Sequence, residues 1–197
     1  MRRTSPVFLG LAAAVIACVH QVRPTVTPAR VPAVAPPIQA RALLLIAPSF
    51  EKYVSASSSG ANQFRYHFGE SATPALSDLV RSSFTKGETR YLPDAEVLQW
   101  LTGPADTTVA DLLLVPAFEA AEAHQRLLDI QAVVRLRMSV RSLRGGSTLS
   151  WVTLGGTTRV VSSQGGLTGS ALEGALQALS DSLAAHRRDL EAKAPAK

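Results

Sequence analysis

From Ile130 to Val140 every second residue is apolar: Ile130, Ala132, Val134, Leu136, Met138 and Val140. Gln131, Arg135, Arg137, Ser139 and Arg141 occupy the other phase, with Val133 the one exception. Side chains on a strand point alternately to opposite faces, so this stretch reads as a strand with one packed face and one wet face. An α-helix would scatter the same residues around its circumference. Arg144-Gly145-Gly146-Ser147 supplies a turn, and Thr148 to Val160 is expected to return as an antiparallel partner, interrupted or bulged at Gly155-Gly156.

Other elements gather around this hairpin. Arg41 opens a short apolar run, ALLLIAP, that reads as a buried strand, and Asp111 to Val115 reads as another. Phe64, Tyr66 and Phe68 alternate with polar residues on a short strand, as a core-facing edge or the lining of a ligand groove. The serine-rich stretch Glu51 to Asn62 is expected to be a surface loop. Thr73-Pro74 reads as an N-cap and first helical residue, predicting a helix from Pro74 to Lys86, and Thr89 to Leu92 is expected to pair as a brief strand; Asp94 is expected to cap a second helix closed by Gly103-Pro104. Ser170 to Glu173 is a capping box ahead of Leu172, Leu176, Leu179, Leu183 and Leu190, the stripe of a third helix. The expected class is α+β: a mainly antiparallel sheet of about four to five strands with two or three helices packed on one face.

The first residues have a different character. Met1-Arg2-Arg3 is followed by an apolar stretch from Val7 to Ala17 and then by Cys18. A cationic start, a short apolar segment and small residues are the three parts of an export signal. Eleven apolar residues are too few to span a bilayer core, which takes about 20. Beyond Cys18, prolines at 24, 28, 32, 36 and 37 remove backbone donors and favour extended chain. The expected division is a signal over 1–17, a disordered Pro-rich tether over 18–40 reaching on the order of 60 Å, a domain over 41–190 and a frayed tail over 191–197.

Val15-Ile16-Ala17-Cys18 resembles the lipobox of bacterial lipoproteins: apolar, small or apolar, small, cysteine. The resemblance implies cleavage before Cys18, a diacylglycerol on its thiol and acylation of the new amino group. Two or three acyl chains make a durable anchor where one is marginal. Val19 stands where aspartate would favour inner-membrane retention, which by the same resemblance implies the outer membrane, facing the periplasm. The order of ALLLIAP, ADLLLVPAF, the DIQAVVRLRMSVRSLRGG arm and the LEGALQALSDSL helix is similar to that of small envelope lipoproteins. These are the LPS-assembly, YajG-like and ABC-transporter auxiliary families; lipoproteins of the penicillin-binding-protein activator and curli-secretion types share the layout.

Little points to catalysis or cofactors. Cys18 is the sole cysteine, so neither an internal disulfide nor a cysteine-based zinc site is available. His20, His67, His124 and His186 have no ligand spacing, and no nucleophile elbow, P-loop or dinucleotide fingerprint is present. The net charge of +5 falls to +3 when Arg2 and Arg3 leave with the signal, too little and too scattered for a nucleic-acid partner. Arg135, Arg137 and Arg141 share one strand face and are the candidate contacts for an anion or an acidic partner. The expected role is a non-enzymatic accessory lipoprotein without a cofactor, docking on an envelope assembly or transport partner. A lipid- or glycan-binding module is the alternative, and an enzyme with an unfamiliar site ranks third.

Overall fold

The computed structural model describes residues 18–27, 30–59, 62–126, 129–160 and 164–194; the expected signal over 1–17 and the last residues of the tail, 195–197, lie outside them. The fold is α+β. A five-stranded sheet has the order β5 (Phe84–Tyr91), β2 (Ile38–Ile46), β6 (Leu112–Arg126), β7 (Asp129–Ser142), β8 (Thr148–Val160). A small sheet is formed by β1 (Cys18–Val22), β4 (Asn62–His67) and β3 (Val54–Ser59), in that order. The helices are α1 (Pro48–Glu51), α2 (Phe68–Ser83), α3 (Asp94–Thr102), α4 (Gln164–Ala185) and α5 (Arg187–Ala192).

The large sheet is mixed rather than mainly antiparallel. β5, β2 and the start of β6 run parallel, whereas β6, β7 and β8 form an antiparallel meander. The unbroken apolar run of β2 accounts for the parallel half, because both of its faces are covered. Leu44 and Ile46 join the main core under α2 and α4, while Leu43 and Leu45 pack with Leu113, Leu143 and Val97 of α3 on the opposite face.

β7 follows the alternation: Ala132, Val134, Leu136, Met138 and Val140 are all buried in the main core. Its pairing with β8 runs in continuous register from Asp129↔Val160 to Arg141↔Thr148, so no bulge interrupts it at Gly155-Gly156. Gly155 serves a different purpose. A Cβ there would lie 2.1 Å from the Ala171 carbonyl oxygen and 2.2 Å from the Ala175 nitrogen, so α4 crosses β8 backbone to backbone, with Gly174 facing Gly155.

Several elements begin earlier or run longer than the sequence predicts. α2 starts at Phe68 with Pro74 inside it, and Thr73, rather than capping, donates its hydroxyl to the Gly69 carbonyl at 2.9 Å. Gly69 lies against the carbonyls of Phe50 and Glu51, so packing on α1 holds this early start in place. The serine-rich stretch is strand β3, paired antiparallel with β4 from Val54↔His67 to Ser59↔Asn62. β6 extends past Pro116 because that proline lies beyond the β2 pairing, where no ladder donor is missed.

The proline segment is not a free tether. Val31 and Val34 are buried in the main core, and the chain runs along α4 as a strap. Thr25 N–H donates to the Gly165 carbonyl at 3.2 Å, Thr27 N–H to Glu173 Oε1 at 2.5 Å and Ser180 Oγ to the Pro32 carbonyl at 2.6 Å. Arg187 reaches the Pro36 carbonyl, and Val34 N–H donates to Ser83 Oγ at 3.0 Å. At the other end of the chain, Gln39 N–H donates to Glu191 Oε1, and Ala194 is buried, so the described part of the tail is packed too.

One ion pair fixes the junction of the two halves of the sheet. Asp111, 2% exposed, accepts from Arg41 N–H at 2.8 Å and from Arg41 Nη2 at 3.0 Å. Burial opposes ionisation of Asp111, but the Arg41 side-chain and backbone bonds outweigh it and hold the carboxyl below the ordinary aspartate range. A depressed carboxyl contributes stability above its unfolded pKa and loses it as the pH falls through the folded value. Stability measured by denaturant melts should therefore fall as the pH drops below about 4, and Asp111→Asn should be less stable at pH 7 and show a flatter acid limb. Gly155→Ala should cost about 2–3 kcal/mol in the same assay, whereas Gly156→Ala, whose Cβ would meet nothing closer than 3.7 Å, should change little.

Candidate functional site

Two surfaces are assembled by this fold, one around Cys18 and one on the outer face of the β6–β8 meander. Cys18 is exposed and is the first residue of β1, which pairs in parallel with β4 from Cys18↔Asn62 to Val22↔Tyr66. Around it, His20 contacts Asn62 Oδ1 at 3.2 Å and stacks on Phe64 with ring centroids 5.0 Å apart. His67 meets Gln21 Oε1 at 2.7 Å through Nε2 and Glu70 at 3.3 Å through Nδ1; Glu70 in turn pairs with Arg23 at 3.3 Å. The strand that carries the cysteine is thus tied to the start of α2. The aromatic row expected on β4 turns inward: Tyr66 and Phe68 are fully buried, and Phe64 packs partly buried beside them.

The second surface is the wet face of β7 and its neighbours. Register places Ala117, Arg137 and Val152 in one row across the sheet and Ala120, Arg135 and Leu154 in the next. Arg135 and Arg137 are exposed, and Arg137 lies 3.8 Å from Glu119. Val152 and Leu154 are 49% and 59% exposed, large apolar side chains beside two cations. β8 is hydrogen-bonded only to β7 among the described residues, so its other edge is open. Such a face can hold an apolar partner surface and pair its arginines with carboxylates or phosphates.

Arg141 does not belong to this surface. It is 8% exposed, and its guanidinium donates to the Trp100 carbonyl at 2.5 Å and the Gly103 carbonyl at 2.6 Å. These are carbonyls at the C-terminal end of α3, where unpaired acceptors and the helix dipole favour a cation. The third arginine of the row is therefore a structural clamp, and the candidate contact set reduces to Arg135 and Arg137.

The opposite edge of the sheet differs in kind. On β5, Lys86 lies 2.9 Å and Arg90 3.9 Å from Glu88, and the Lys86 ammonium holds the Glu88 carboxyl below its ordinary range. Between β5 and α2 runs an open polar groove of about 520 Å³, lined among others by Asp78, Arg81, Arg90 and Tyr91. His124 contacts Glu122, and His186 stacks on Trp151. Among the described residues, no three potential metal ligands cluster, and no helix is long and apolar enough to cross a membrane.

Sequence reading missed the exposed pair Val152 and Leu154. The signal was available: in Leu149-Ser150-Trp151-Val152-Thr153-Leu154 both phases of the strand carry large apolar residues. It also missed Glu173, whose capping-box spacing hid its contact with the strap.

Among solved structures, the chain is similar to a Xanthomonas campestris protein of the DUF330 family at 11% identity, covering 84% of this chain and 92% of that one, with a TM-score of 0.46. It is similar to the PelC dodecamer from Paraburkholderia phytofirmans at 18% identity, covering 76% and 90%, with a TM-score of 0.43. It is also similar to lipoprotein GNA1162 from Neisseria meningitidis at 15% identity, covering 66% and 90%, with a TM-score of 0.34. No family model matches the chain, and no curated protein matches it.

The two kinds of arginine should separate in a stability assay. Arg141→Ala should lower the unfolding free energy by about 2–3 kcal/mol, since two charged bonds from a buried guanidinium to half-buried carbonyls are lost. Arg135→Ala and Arg137→Ala should stay within about 0.5 kcal/mol of the parent.

Proposed function

We propose that this chain is a membrane-anchored accessory lipoprotein of the bacterial cell envelope, held in the outer membrane through lipid on Cys18. On this reading, it docks from the periplasmic side on an assembly or transport partner without catalysing a reaction. The lipobox and the exposed position of Cys18 support the anchor. The observation that carries the docking is the uncovered β7–β8 face, where Val152 and Leu154 stand beside Arg135 and Arg137 at an open sheet edge. Large apolar side chains beside cations at an unpaired edge favour a protein surface as occupant. The layout resemblance to the LPS-assembly and transporter-auxiliary lipoproteins supports the same role.

The groove between α2 and β5 favours a second reading, a glycan-binding module, because Asp78, Arg81, Arg90 and Tyr91 offer polar groups and an exposed ring. Binding of envelope oligosaccharides that is lost in Arg90→Ala and kept in Leu154→Asp would favour it over docking.

Feeding cells a clickable fatty acid should label the wild-type protein, and Cys18→Ser should abolish the label while leaving the thermal melt unchanged. Leu154→Asp and Val152→Asp should fold normally yet no longer co-purify with the partner recovered by the wild type from detergent-solubilised membranes. A partner retained by both variants would place docking elsewhere.

A further inference from the structure

We infer that the acylated domain lies end-on against the bilayer, with the Cys18 end of the small sheet at the lipid headgroups. This rests on the proposal that Cys18 carries the lipid.

A free proline spacer would let the domain float tens of ångströms away. The structure removes that slack at both stages of the path. Cys18 itself is strand-paired, opposite Asn62, so the acylated residue is part of the sheet. Behind it, Val22 pairs with buried Tyr66, and Arg23 is held by Glu70. The strap then follows α4 from Gly165, beside Thr25, to Glu173, beside Thr27 and Arg30, and to Ser180, beside Pro32. Glu173 is the central fastening: its side chain is 8% exposed, and its two oxygens take the Thr27 N–H and the Arg30 guanidinium.

The chemistry of that end suits a headgroup layer. β1, β3 and β4 contain no carboxylate, and the one exposed cation on them, Arg65, lies three rungs from Cys18, opposite Gln21. Ser58 and Gln63 are exposed hydrogen-bonding groups, and Val19 is 47% exposed, an apolar side chain next to the acylated residue. Phosphate and glycerol oxygens meet no like charge there.

The orientation is set by α4. Thr25 lies at its first turn, while Ser147, in the β7–β8 turn, takes the Lys193 Nζ–H at 2.9 Å beyond its other end. The 22 residues of α4 between them span about 33 Å. With the Thr25 end of α4 towards the bilayer, the β7–β8 turn projects away from the membrane.

The test uses acylated full-length protein in phosphatidylethanolamine–phosphatidylglycerol vesicles carrying a headgroup-linked acceptor dye. Because acylation consumes the Cys18 thiol, a donor dye can be placed by Ser58→Cys or by Gly145→Cys, where a side chain meets nothing within 4 Å. The Ser58→Cys donor should lose most of its emission and the Gly145→Cys donor little. A long Gly-Ser insertion between Cys18 and Val19 should restore the emission of the first. Equal loss at both sites, or no recovery on insertion, overturns the end-on arrangement while leaving the anchor intact, provided that the mass of the N-terminal peptide shows acylated Cys18. An unmodified thiol at Cys18 overturns both.

Discussion

The contact on which the rest depends is the crossing of α4 over β8 at Gly155 and Gly174. With a side chain at Gly155, the helix backbone would have to rise from the sheet, since an added Cβ would sit 2.1 Å from the Ala171 carbonyl oxygen. The close approach sinks Leu172, Leu176, Leu179 and Leu183 fully into the core against the buried face of β7. It also fixes the azimuth of α4, and hence the direction of Glu173 and Ser180 on its flank. Interiors packed to crystal-like density transmit such a constraint without slack.

From that azimuth follows the docking of the proline segment. A chain rich in proline has few N–H donors but keeps all its carbonyls, so it must be held by donors on the partner element. Ser180 and Arg187 supply them to Pro32 and Pro36, and the donors that the segment retains find Glu173 and Ser83. Burial of Val31 and Val34 adds roughly 1.5–3 kcal/mol each, and the stiffness of proline lowers the entropy lost on docking. The composition that marks a free linker is, with the right neighbour, also that of a strap.

What the sequence disclosed follows the same physics. Period-two burial on β7 and the leucine stripe of α4 were legible because each depends on one packed face. Contacts made across long separations were not. Gly155 read as a bulge because nothing local records that a helix will press on it, and Ser170, expected to cap α4, lies inside it and donates to the Gly166 carbonyl. The helix starts earlier because Thr25 covers Gly169: a Cβ there would sit 2.0 Å from the Thr25 carbonyl oxygen. The serine stretch became β3 for a similar reason, since pairing with β4 outweighed its composition. On the candidate surface, the alternation correctly put Arg135 and Arg137 outward but could not show that α3 ends over Arg141.

The two edges of the large sheet bear on which surface is free to meet a partner. β5 carries Lys86, Glu88 and Arg90 in alternation, so an incoming strand faces charges of both signs, already satisfied among themselves. Charged edges resist strand addition. From Thr148 to Thr158, β8 carries no charge and no proline, and its outer face continues into Val152 and Leu154. An edge left unguarded in this way is a hazard for a protein diffusing freely at high concentration. It is tolerable where an anchor fixes the orientation and a partner covers the edge. The undefended edge, the apolar pair and the two exposed arginines thus share one corner of the domain, and a single docked surface would account for all three.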